Sequence, residues 1–232
     1  MKSWMILGAS LALMAFTFPN AGSGDCNGYA MMEKGVTLVY QDYNAKDKLV
    51  GTHQSTVTEL SESDGAVKAT VHSVSKDDKD KVTNEGDYGF TCKDGVISID
   101  MRSVAGSSMD AYKDMEVTLD QSDLVFPATL TEGQTLPDGT MTMKVSSGGM
   151  VIMTMVTQIV DRKVEAFESV TTAAGTFECA KISQVMNMDM GMMKTTSKQV
   201  SWFTSGVGMV RSESYNKNGE LQSYTVLSQI QR

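Results

Sequence analysis

The chain has 232 residues, three prolines and a formal net charge of −8. An acidic chain without a basic cluster argues against nucleic acid and anionic membrane surfaces as partners. The low proline content, together with many Thr, Ser and Val residues, is typical of β structure and not of a disordered polymer.

The first 23 residues have the layout of a secretory signal peptide. Lys2 supplies a positive charge, and residues 4–18 form an apolar segment that is short for a membrane span. A membrane anchor and a lipoprotein are the alternatives, although Asp25 precedes Cys26 where lipid attachment needs a small residue. We therefore expect an exported mature chain that does not span the membrane, either periplasmic or at the cell surface or secreted.

The mature chain, residues 24–232, is predicted to be a single domain built from two sheet halves. The first half, residues 35–101, reads as an antiparallel meander because apolar and polar residues alternate between turn signals. Its predicted strands cover residues 35–43, 48–60, 66–75, 82–92 and 96–101.

The topology of the predicted meander favours one pairing of the cysteines. The first strand of a meander starts at the end of the sheet where the fourth strand stops, so Cys92 lies near the segment that leads into the sheet. The tether from Cys26 to Val36 spans about 30 Å, which is enough to cross three strand spacings. We predict a Cys26–Cys92 disulfide with Cys179 as a buried thiol; three free cysteines are the alternative.

One short helix is predicted at residues 107–114, where Ser107 or Ser108 provides an N-cap. The second sheet half, residues 115–230, follows it. Gly148-Gly149 and Asn218-Gly219 mark two of its hairpin turns. Its predicted strands include residues 115–119, 141–146, 150–160, 163–170, 209–215 and 221–230.

The centre of the second half is a hairpin in residues 171–210 that reverses near residues 189–191. Phe177 and Cys179 share one face of its first strand, whereas Ile182, Met186 and Met188 share the other. The apolar phase therefore switches near residues 180–181, which predicts a bulge or a passage between sheets.

Methionines are concentrated in this half, with ten of them between Met141 and Met193. They predict a plain core, the lining of an apolar groove or a soft-metal Cu(I) site. No histidine lies between those two residues, which disfavours copper, so we expect no metal and no cofactor. The candidate ligand-binding residues are Met141, Met143, Met153, Met155, Met186, Met188 and Trp202.

Neither of the two histidines predicts catalysis. His53 and His72 fall on strand positions that face the polar side, and a solvated position explains both. The sequence contains no G-x-S-x-G, H-E-x-x-H or P-loop motif. We therefore expect no enzyme and assign no catalytic residue, with an unrecognised hydrolase as the remote alternative.

Three segments carry a family resemblance: WFTSGVGMVRSESYNKNGELQSYTVL at residues 202–227, GTFECAKIS at 175–183, and MEKGVTLVYQDYNAKDKLVGT at 32–52. They resemble the TapB-like family of exported proteins and a related domain family of unknown function. The resemblance implies an exported, mostly antiparallel β protein of Gram-negative bacteria of the Bacteroidetes type. It implies no reaction and no catalytic residues.

These observations predict an all-β fold: a strongly curved antiparallel sheet, as a half-open barrel or sandwich, with one short helix. The predicted function is a non-enzymatic binding protein of the cell envelope. Its apolar, methionine-lined groove would receive a hydrophobic small molecule, a lipid or a segment of an envelope protein partner. The alternative is a surface or adhesion-type structural component that acts through protein–protein contacts.

Overall fold

The computed structural model describes residues 26, 28–100 and 115–232. The predicted signal peptide at 1–23 and the predicted helix at 107–114 lie outside these residues. In the described part, strands, turns and irregular segments account for the whole backbone. No helix there has the length and apolar character needed to cross a membrane.

In residues 28–100 and 115–232, thirteen β-strands form one antiparallel sheet, which confirms the predicted all-β antiparallel architecture. The meander is present as predicted, because β1 to β5 follow one another in the sheet. The strands are β1 Thr37–Asn44, β2 Leu49–Ser63, β3 Ala66–Asp77, β4 Val82–Lys93, β5 Val96–Ile99, β6 Glu116–Gln121, β7 Leu124–Phe126, β8 Gly139–Ser147, β9 Met150–Thr172, β10 Gly175–Asp189, β11 Lys194–Thr204, β12 Gly208–Tyr215 and β13 Leu221–Gln231.

The order of the strands makes the sheet curl. It runs β6-β8-β9-β10-β11-β12-β13-β1-β2-β3-β4-β5-β7, so the edge strands β6 and β7 are consecutive in the chain. Only Ser122 and Asp123 separate them, and a connection that short spans about 10 Å. The two edges of the sheet therefore come close together without pairing, and the sheet stays open.

Arg162 of β9 holds the β7 edge against the rest of the sheet. Its side chain is fully buried, and its Nη1 donates to the carbonyl oxygens of Val125 at 2.9 Å and Pro137 at 2.6 Å. Burial lowers the pKa of the guanidinium to about 10. Among the described residues, its Nε and Nη2 atoms have no hydrogen-bond partner. The guanidinium lies 4.8 Å from the ring centroid of Phe126, a favourable cation–π arrangement.

The predicted phase switch in β10 coincides with a bulge in its neighbour. Lys181 pairs with Ala166 and Ile182 pairs with Val164, so Glu165 is an extra residue in β9. An extra residue in one strand locally increases the twist and bends the strand. The bulge prediction is confirmed, and the bend occurs within one continuous sheet.

A short segment crosses the end of the sheet before β1. We call residues 28–31 the strap. Cys26 just before it forms a disulfide with Cys92 at a Cα–Cα distance of 5.9 Å, the pair that the meander topology selects. The strap packs closely: a Cβ on Gly28 would lie 2.6 Å from the side chain of Ile97, and the Gly28 carbonyl accepts a hydrogen bond from the Gly206 amide.

Candidate functional site

The predicted methionines form a layer on the concave face of β8, β9 and β10. Met143 lies opposite Met155, while Met141 and Met188 flank Thr157 on either side. Met141 and Met143 are each 1% exposed and Met155 is 8% exposed. The remaining members, Met153, Met186 and Met188, are half-buried and pack against the same core. The structure thus brings six of the seven candidate residues together, three of them in the core and three packed against it.

Trp202, the seventh candidate, is buried in the same core cluster but lies on the opposite strand face from Met186 and Met188. It pairs with Lys181, and alternate residues of a strand point to opposite faces, so its ring is separated from Met186 and Met188. The indole Nε1 donates to Glu168 at 2.5 Å, and the Lys181 ammonium lies 5.1 Å from the ring centroid. The hydrogen bond from Trp202 is the main reason that the pKa of Glu168 is lowered.

A cavity lies elsewhere, beneath the strap. It has a volume of about 200 Å³ and is bounded by the concave face of the meander, the strap and the β11–β12 turn. None of the seven predicted ligand-binding residues lines it. Its lining residues are Tyr29, Ala30, Met31, Leu38, Tyr40, His53, Ser55, Val57, Val71, Tyr88, Phe90, Ile99, Phe203, Val207, Gly208 and Met209.

The imidazole of His53 is a polar group in the cavity wall that can donate or accept a hydrogen bond. Its ring stacks on Tyr40 with a centroid distance of 4.5 Å, and its Nδ1 lies 3.2 Å from Oδ2 of Asp42. The hydroxyl of Thr225 donates to the other oxygen of Asp42 at 2.6 Å. Burial opposes ionisation of Asp42, but the hydrogen bonds from His53 and Thr225 outweigh it and lower the pKa of the carboxyl group.

Among the other polar side chains of the cavity, Tyr40 has a hydrogen-bond partner and Ser55 has a tyrosine neighbour. The Tyr40 hydroxyl donates to the Met209 carbonyl at 3.0 Å, and the Ser55 hydroxyl lies beside Tyr88. Burial raises the pKa values of Tyr29, Tyr40 and Tyr88, because the apolar surroundings disfavour a phenolate. The cavity is therefore an apolar space with neutral hydrogen-bonding groups on its wall.

The prediction that His53 faces solvent is wrong. The residue is part of the cavity wall and is half-buried. A sequence signal was available, because His53, Ser55 and Val57 share one strand face that becomes apolar towards Val57. His72, by contrast, lies on the exposed side of β3 between Asp87 at 2.7 Å and Glu85 at 3.3 Å.

Charged side chains do not assemble into a metal site within residues 26, 28–100 and 115–232. No group of three or more His, Cys, Asp or Glu side chains there has a suitable arrangement. Cys179 is a buried thiol, and desolvation raises its pKa to about 11, so it stays protonated at neutral pH.

The sequence profile of the family described as DUF3108-like matches residues 33–227. The chain belongs to the DUF3108-like family. The narrower TapB-like resemblance stays a prediction. No functionally curated protein matches the chain.

Two solved structures share the fold of this DUF3108-like chain. An exported protein with a YmcC-like fold from Bacteroides fragilis NCTC 9343 is 25% identical, with a TM-score of 0.72, over 89% of this chain and 100% of that one. A lipoprotein from Parabacteroides distasonis ATCC 8503 is 23% identical, also with a TM-score of 0.72, over 89% of this chain and 99% of that one. The predicted export is confirmed: the protein is exported and associated with the cell envelope.

Proposed function

We propose that this protein is a non-enzymatic binding protein of the cell envelope that holds a small apolar ligand in the cavity beneath the strap. The observation that carries the proposal is the cavity itself. Eleven of its sixteen lining residues are Ala, Gly, Val, Leu, Ile, Met or Phe, and its wall includes a segment fixed by a disulfide next to it. Concave apolar sites with a few placed polar groups are the usual form of small-molecule sites.

The position of the ligand differs from the methionine-lined groove that the sequence predicts. Met141, Met143 and Met155 are buried against other core side chains, so a ligand there would have to displace them. The cavity beneath the strap needs no such displacement.

Toluene is a suitable probe for this proposal. We expect it to raise the thermal midpoint of the purified protein, because a ligand that binds only the folded state stabilises that state. Val57→Phe places a ring in the cavity and should abolish the effect. Val82→Phe, the same change at a residue that is 45% exposed, is the matched control and should retain it.

Protein purified from its own envelope offers a second test. Native mass spectrometry of the wild-type chain is expected to show a co-purified small organic molecule that Val57→Phe lacks. A wild-type protein that is clean in repeated preparations and unaffected by toluene would contradict the proposal.

A second function is favoured by a different observation. Met150, Val151 and Ile152 at the start of β9 are 71%, 57% and 55% exposed, and Met192 and Met193 at the β10–β11 turn are also exposed. Exposed apolar side chains at hairpin ends suit a surface component that contacts protein partners. Crosslinking in intact cells tests this function: specific protein adducts that Ile152→Lys removes would support it, and their absence would contradict it.

A further inference from the structure

We propose that the ligand is a neutral single-ring compound whose hydroxyl group donates a hydrogen bond to Nε2 of His53. This inference rests on the proposed binding function and specifies the chemistry of the ligand. Three features of the cavity carry it: its size, the absence of charge among its lining residues, and the hydrogen-bonding state of the His53 ring.

The size of the cavity limits the ligand to about one ring. A dry apolar cavity of about 150 Å³ in a protein core is known to hold benzene. The cavity here, at about 200 Å³, offers room for one ring and a small substituent. An extended acyl chain of a membrane lipid would extend beyond this space.

The lining favours a neutral ligand. None of the sixteen lining residues is an aspartate, glutamate, lysine or arginine. A charged ligand would lose its hydration without gaining an opposite charge, which is strongly unfavourable. The carboxylate of Asp42 lies next to His53 and is already engaged by His53 and Thr225.

The position of Asp42 sets the hydrogen-bonding state of His53. A carboxylate accepts hydrogen bonds, so Nδ1 of His53 must carry the proton that faces Asp42. In the neutral ring, Nε2 is then an acceptor. Stacking on Tyr40 fixes the plane of the ring, and Nε2 has no hydrogen-bond partner among the residues that the structure describes. Because His53 lines the cavity, we infer that Nε2 is an acceptor that a phenolic or alcoholic hydroxyl of the ligand would satisfy.

A matched set of probes tests this inference by isothermal titration calorimetry on the wild-type protein. Toluene and p-cresol differ by one hydroxyl group, and p-toluate replaces that hydroxyl by a carboxylate. We expect p-cresol to bind about tenfold more tightly than toluene, as one added hydrogen bond allows. We expect p-toluate to bind more weakly than toluene.

His53→Phe keeps a ring beside Tyr40 but removes both ring nitrogens. In this variant p-cresol should lose its advantage over toluene, whereas toluene should still bind. His72→Phe, on the outer face of the sheet, is the matched control and should leave both affinities unchanged. The wild-type comparison needs no variant, so it remains decisive if His53→Phe does not fold.

The outcomes separate this inference from the proposed function. Equal binding of toluene and p-cresol would overturn the hydroxyl assignment and leave the binding function in place. Tighter binding of p-toluate would overturn the neutral character of the ligand. If none of the three compounds binds, the proposed function and this inference fail together.

Discussion

The cavity beneath the strap and the methionine layer face the same core but differ in how they are filled. Around the cavity, β-branched and aromatic residues such as Val57, Val71, Tyr88 and Phe90 have few rotamers, so they leave space between them. In the layer formed by β8 to β10, flexible methionines close the gaps. The methionine-rich part of this chain therefore forms packed core, whereas the part rich in β-branched and aromatic residues encloses the cavity.

Removing the disulfide should have the largest effect, because it should reduce both the stability of the protein and the binding of toluene. The Cys26–Cys92 bond closes a loop with a sequence separation of 66, and the Cys26→Ser, Cys92→Ser double variant should lose about 4 kcal/mol of unfolding free energy. Because the strap forms one wall of the cavity, toluene binding should also be lost. Urea denaturation and calorimetry measure the two effects. Unchanged toluene affinity in a folded double variant would show that the strap is not needed for the cavity.

Truncating the methionine layer should affect stability alone. Met143→Ala leaves a hole in a fully packed region and is expected to lower the free energy of unfolding by about 3 kcal/mol. Met192→Ala, at a fully exposed turn position, should change it by less than about 0.5 kcal/mol. Urea denaturation gives both values, and toluene affinity should match the wild type in both variants. A Met143→Ala variant with weakened toluene binding would connect the two regions and contradict the comparison.

Replacing a valine by the larger leucine should change the free energy of unfolding in opposite directions in the two regions. Val57→Leu adds volume next to an empty space and should raise the free energy of unfolding by about 0.5 kcal/mol while weakening toluene binding. Val145→Leu adds volume to a packed site and should lower the free energy of unfolding by about 1 kcal/mol. Thermal unfolding with and without toluene measures both. If both variants were destabilised alike, the cavity would be as fully packed as the methionine layer.

His72, on the outer face of the sheet, should make the stability of the protein depend on pH. The hydrogen bond with Asp87, supported by the charges of Asp87 and Glu85, raises the pKa of His72. Its contribution to stability should be fully present below the ordinary pKa of about 6.5 and should disappear as pH rises through the higher folded-state value.

A nuclear magnetic resonance titration should place the His72 midpoint above 6.5, and Asp87→Asn should lower it. Because His72 lies outside the cavity, p-cresol should leave the midpoint in place. A midpoint that moved on addition of p-cresol would mean that the outer face responds to the ligand.

Local patterns were sufficient to predict much of this fold. Alternation and turn residues indicated the meander and the hairpins, and the meander in turn selected the partner of Cys92. The bulge beside Lys181 was predictable because the apolar phase changes within one strand.

The candidate site was not predictable in the same way. The cavity depends on the strap, the meander and the β11–β12 turn coming together, and this turn is far from the other two segments in sequence. Thioether side chains suit both a packed core and a groove, so composition alone did not distinguish these two roles. Trp202 was grouped with the methionines because only the pairing register, which sets it opposite Lys181, reveals its side of the sheet.

The pairing of β1 with β13 joins the two ends of the chain, since Thr37 lies opposite Gln231. In an exported protein, the amino-terminal strand reaches its destination first and must wait for the last residues to cross the membrane. Until then β1 exposes an unpaired edge that is prone to wrong partners. Protection of this edge during translocation, by a holding factor or by slow collapse of the meander, is therefore a requirement that the topology places on the export route.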